Sequence, residues 1–206
     1  MRIYWGSKPC PFRGTPIRVS ASDTYTLWER AYDAAYDGHT VVLFVPASPM
    51  IRLISHTLGL KGVHHCMLLH RPHGHCVPII EGTTGEGLEC MVADPNEEMD
   101  VIGFVALDMQ DRPGVQYLDG ARAGTTTIRG LWETFALHYR THPLNRLVRA
   151  ILKSLPPRHR DITCAGYILH RLFGYRHETC RNDTITALVN HIERYTNDRA
   201  LSDYDF

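Results

Sequence analysis

Between Thr40 and Met109 the apolar residues come in short runs separated by turn residues, and beyond residue 126 they come at helical spacing. That change of period restricts the fold more than any other feature. Short apolar runs bounded by Gly, Pro and Asn/Asp are strands, and the i, i+3, i+4 pattern is helix. Strands grouped before helices imply an α+β chain with an antiparallel sheet, not the strand–helix alternation of a parallel one. Thr40 to Val45 reads as a buried strand. Ser48-Pro49 caps a short helix whose apolar face is Ile51, Ile54 and Leu58, and Gly59 stops it. His65–His70 and Cys76–Glu81 flank Arg71-Pro72-His73-Gly74-His75 and predict a hairpin. A second turn at Thr83–Gly87 leads to strands at Leu88–Ala93 and Val101–Met109. Helices are expected at about 126–141, 143–154, 160–173 and 184–195. Ahead of the sheet, Asp23 or Thr24 caps a helix running to about Tyr36, with Gly38 as its stop. Residues 1–22, with Pro9, Pro11, Gly14 and Pro16, read as an irregular arm of a single domain spanning 1–206.

Composition narrows the partners. Apolar residues make up 44% and charged residues 21%, enough to bury a core without disulfides. Lys+Arg and Asp+Glu are each 22, so a strongly basic nucleic-acid binder is not expected. No apolar run approaches the ~18 residues of a membrane-spanning helix. Met1–Cys10 lacks the apolar core of a signal peptide. Six scattered cysteines without a C-x-x-C pair read as reduced thiols in a cytosol-like compartment.

Two segments carry candidate chemistry. The first is Asp161-Ile-Thr-Cys164-Ala-Gly-Tyr-Ile-Leu-His-Arg-Leu-Phe-Gly174. Ile162, Ala165, Leu169, Leu172 and Phe173 share one helical face, and Asp161 or Thr163 caps the helix, so Cys164 falls in its first turn. The positive end of the helix and its free amides favour a thiolate and can hold an oxyanion. The plainer alternative is a small buried apolar residue. The second is the hairpin, where seven Cys or His side chains lie between His64 and Cys76. Strand alternation puts His65 with Met67 and Leu69 on one face, and Cys66, Leu68 and His70 on the other. A turn centred near His73 sets Glu81 across from His65, giving a base and its orienting carboxylate. Two readings compete. Some of His70, His75, Cys76 and their neighbours could hold zinc, although the usual paired spacings are missing. Alternatively, the hairpin is a polar surface and Glu81 a solvated strand end. Gly82-Thr-Thr-Gly85-Glu-Gly87 lacks the lysine and following helix of a phosphate loop.

The order of these segments resembles a known family. Gly38-His-Thr-Val-Val-Leu-Phe44, Ser48-Pro-Met-Ile-Arg-Leu-Ile54, Gly62-Val-His-His-Cys-Met-Leu-Leu69, Val77-Pro-Ile-Ile-Glu81-Gly and Thr163-Cys164-Ala-Gly-Tyr-Ile-Leu169 follow one another as in the circularly permuted NlpC-like branch of the papain-like thiol hydrolases. That branch includes bacterial, lecithin:retinol acyltransferase-like and poxviral members. The resemblance spans about residues 37–175 and lies in order and spacing more than identity. It implies a papain-like antiparallel sheet packed against helices. It also implies a Cys-His-Glu triad, with Cys164 as nucleophile, His65 as base and Glu81 as the third polar residue. His64 stands where the family often has Ser, Met67 where it has a small residue, and Ala165-Gly166 where Ser-Glu often follow the cysteine. The implied activity is hydrolysis or transfer of an acyl group from a small-molecule, peptide or lipid donor, with no metal or organic cofactor and a cytoplasmic or virion-associated setting. A catalytically silent binding module of the same fold and a zinc-stabilised protein are the alternatives.

Overall fold

The computed structural model describes residues 1–46, 64–108 apart from 73, 84–87 and 98, 122–123, and 161–202 apart from 177, 178 and 180–184. The helices expected after Ser48, at 126–141 and at 143–154, and the turn at 84–87, lie outside these residues. The rest is mixed α+β. Strands β1 (Arg2–Trp5), β2 (Ile17–Arg18), β3 (Thr40–Pro46), β4 (His64–His70), β5 (Ile79–Thr83), β6 (Leu88–Val92) and β7 (Gly103–Leu107) form one sheet in the order β2-β1-β7-β3-β4-β5-β6. Every neighbouring pair is antiparallel except β1 and β2. A separate parallel bridge joins β8 (Arg122–Ala123) to β9 (Asp161–Ile162). The described helices are α1 (Leu27–Tyr36), α2 (Cys164–Phe173) and α3 (Ile185–Ser202).

The sheet has an apolar cluster on each face, and strand alternation decides which residue joins which. Cys66 and Leu68 of β4 belong with Trp5, Val42, Phe44 and Val105, packed against α2 and α3. Met67 and Leu69 belong with Val41, Leu43 and Phe104, packed against Trp28, Ala31 and Ala35 of α1. Strands β3 and β7 are therefore apolar almost throughout, as expected of strands covered on both faces.

The arm at 1–22 needs correction. Its first residues form β1, hydrogen-bonded along β7 from Arg2↔Ala106 to Trp5↔Gly103. Ile3 and Trp5 are buried while Arg2 is exposed, a period-2 pattern too short to stand out beside the prolines that follow. The prolines occupy the loop between β1 and β2. Helix α1 starts later than expected, because Thr26 is its cap. Thr26 Oγ1 accepts from the Glu29 amide at 3.2 Å, and Glu29 Oε2 accepts from the Thr26 amide at 2.7 Å, a complete capping box.

Candidate active site

Thr163 has an extended backbone and its hydroxyl accepts from the Gly166 amide at 3.0 Å, so the helix begins with Cys164 as its first residue. The Thr163 carbonyl accepts from the Tyr167 amide at 2.8 Å. The amides of Cys164 and Ala165, at the first two helical positions, have no intrahelical acceptor by geometry. Gly174 closes the other end in the left-handed region, φ 70°, which a residue without Cβ adopts at little cost.

The α2 axis lays Cys164 against β4, and Cys164 is only 7% exposed. Two neighbouring residues of that strand reach it. The Cys66 thiol hydrogen-bonds to Cys164, as does the Cys66 backbone, and the His65 imidazole adds a hydrogen bond and charge. Cys66 faces α2 by alternation. His65 has the opposite parity, but it lies near the end of β4, opposite Val45, and is only half-buried. The Cys66 hydrogen bond first, then His65 and the Cys66 backbone, hold the Cys164 thiol well below its usual range, against the opposing pull of burial. Burial pushes the Cys66 thiol up, and its bond and proximity to Cys164 add to this. The two sulfurs are thus pushed in opposite directions, Cys164 toward the thiolate and Cys66 toward the thiol.

Glu81 does not join them. The β4–β5 register sets Leu68 against Glu81 and His70 against Ile79. The turn is therefore centred between Gly74 and His75, not at His73, and β5 starts at Ile79 rather than Cys76. Gly74, at φ 84°, supplies the left-handed residue of that longer connection. The expected His65–Glu81 pairing is corrected to His70–Glu81. Glu81 Oε1 lies 2.9 Å from His70 Nε2. Glu81 Oε2 accepts from the Tyr167 hydroxyl at 2.7 Å and from Arg171 Nε at 3.1 Å. Glu81 is also not a solvated strand end, being 2% exposed. Burial alone would raise its pKa, but the bond and charge of His70, then Arg171 and Tyr167, bring it to about 2.

The site thus has two parts along α2: a Cys164–Cys66–His65 group at the helix tip, and a Glu81–His70–Tyr167–Arg171 network one and two turns further on. The sequence pointed to Cys164, His65 and Glu81 but not to Cys66, His70, Tyr167 or Arg171 as their partners. Tyr167 and Arg171 lie four residues apart, on one helix face, which was the available signal. Among the described residues no three His, Cys, Asp or Glu side chains are grouped to hold a metal ion. The described cysteines, Cys10, Cys66, Cys76, Cys90 and Cys164, are free thiols. Among the described residues no helix is long and apolar enough to cross a membrane. Comparison of the chain with protein-family models, curated proteins and solved structures finds no match.

Proposed function

We propose that the protein is a papain-like thiol hydrolase or acyltransferase of the circularly permuted NlpC-like kind. The observation that carries this reading is the contact of the Cys164 sulfur, at the first position of α2, with the His65 imidazole. The antiparallel sheet packed against a helix that begins at the cysteine supports it further.

Cys164 attacks an acyl carbonyl as thiolate, and His65 holds the thiol proton and then delivers it to the leaving group. The carbonyl oxygen, as it gains charge, is met by the Cys164 and Ala165 amides at the positive end of the helix. Loss of the leaving group gives a thioester on Cys164, which passes its acyl group to water or another acceptor. No step uses a metal or an organic cofactor. Glu81 binds α2 to the sheet through Tyr167 and Arg171 and has no part in orienting His65.

The test is a mass measurement of the whole chain after exposure to activated peptide, ester and lipid acyl donors. One acyl group should be retained on Cys164 as a hydroxylamine-labile thioester and should be lost in Cys164→Ala. The deep burial of Cys164 favours a second reading, a silent binding module of the same fold, which predicts no adduct from any of the three donor classes.

A further inference from the structure

The acyl-transfer reading uses Cys164 and His65 and leaves Cys66 without a role. Cys66 is 1% exposed, immediately follows His65, and is in sulfur-to-sulfur hydrogen-bond contact with Cys164 within one buried cluster. The other described cysteines lie apart from it: Cys76 and Cys90 are exposed, and Cys10 is at the margin of the cluster. A buried cysteine in an apolar cluster is ordinarily an inert space-filler, and direct contact with a second sulfur changes what it can do.

We propose that Cys164 and Cys66 form a reversible oxidation site that reacts with hydroperoxides and closes to a disulfide. The Cys164 sulfur attacks the terminal oxygen of the peroxide, the O–O bond breaks, and a sulfur–oxygen bond forms. The departing alkoxide or hydroxide takes a proton from the His65 imidazolium and leaves as alcohol or water. Cys164 is now a neutral sulfenic acid, so it no longer opposes ionisation of Cys66 by its charge. The Cys66 sulfur then attacks the Cys164 sulfur, the S–O bond breaks, and hydroxide leaves with the Cys66 proton as water. Two thiols and one peroxide give one disulfide, one water, and one further water or alcohol; the two sulfurs lose the two electrons that the peroxide gains. Closure removes the nucleophile until a thiol reductant restores it, and it spares Cys164 from irreversible over-oxidation. The inference rests on the same Cys164 thiolate as the hydrolase reading but needs no acyl chemistry.

The experiment treats the reduced full chain with equimolar hydrogen peroxide, then maps thiols and cross-linked peptides by mass spectrometry before and after dithiothreitol. The expected result is a Cys66–Cys164 linked peptide, with both thiols recovered on reduction. In Cys66→Ser, and in Cys66→Ala as a second small replacement, Cys164 should instead proceed to sulfinic acid that dithiothreitol does not reverse. Over-oxidation of Cys164 in the unaltered chain without the link, or a link to Cys10, Cys76 or Cys90 in its place, overturns the inference. The unaltered chain decides this even if the Cys66 variants fail to fold. A link formed by a protein that yields no acyl adduct leaves this site standing without the hydrolase. An acyl adduct without the link does the reverse.

Discussion

A carboxylate buried as deeply as Glu81 keeps its charge only because His70, Tyr167 and Arg171 all reach it. Its folded pKa of about 2 lies below the ~4.3 of an unfolded glutamate, so the folded state binds this proton more weakly. The resulting stability is fully present above the unfolded value and is lost as pH falls through the folded one. The difference is worth about 3 kcal/mol. The unfolding free energy from denaturant titrations should therefore fall between about pH 5 and pH 2 by about that amount. Glu81→Gln should be less stable at neutral pH and should lose that part of the slope. A slope unchanged in Glu81→Gln contradicts the assignment. The neighbouring Tyr167→Phe removes one bond to a charged acceptor and should cost about 1.5–3 kcal/mol at neutral pH.

At the scale of elements, α2 links the two parts of the site, and its first turn sets the nucleophile. Thr163→Ala removes the acceptor for the Gly166 amide and should cost about 1 kcal/mol. Because Cys164 is the next residue, the same change should slow its alkylation while leaving that of exposed Cys76 unaltered. Equal rates in the two proteins would mean that the cap does not set the cysteine. The start of this helix was legible in part, since the sequence offered Asp161 or Thr163 as the cap, and Thr163 is the one that caps it. The faces of β4 were legible too, because alternation assigns Cys66 and Leu68 to one core and Met67 and Leu69 to the other. The β4–β5 register was not. It depends on where the chain reverses among Arg71–Pro78, and several turn residues there compete equally well. That shift moved Glu81 from His65 to His70. The contact of His65 with Cys164 was foreseen in kind, yet it depends on His65 being close to a strand end, which spacing alone does not reveal.

At the scale of the whole molecule, the sheet is a wall between two cores, and β1 packs closely on β7. Gly103 lies opposite Trp5, which is 0% exposed and packs on Phe12 and Phe44. A Cβ at Gly103 would run into the Trp5 indole, which the surrounding rings hold in place. Gly103→Ala should cost about 3 kcal/mol or more, read as a drop in thermal midpoint. A near-neutral result would mean that the indole can move and that the amino-terminal strand is not locked into the sheet. The proposed chemistry requires Cys164 and His65 to act as one unit, and the pH dependence of Cys164 alkylation by iodoacetamide checks this. The predicted profile has Cys164 reacting well below the ~8.5 of an ordinary thiol, with the midpoint moved upward in His65→Ala and exposed Cys76 unchanged as the internal control. A Cys164 that reacts no faster than Cys76 at neutral pH, or with a profile indifferent to His65, would contradict it.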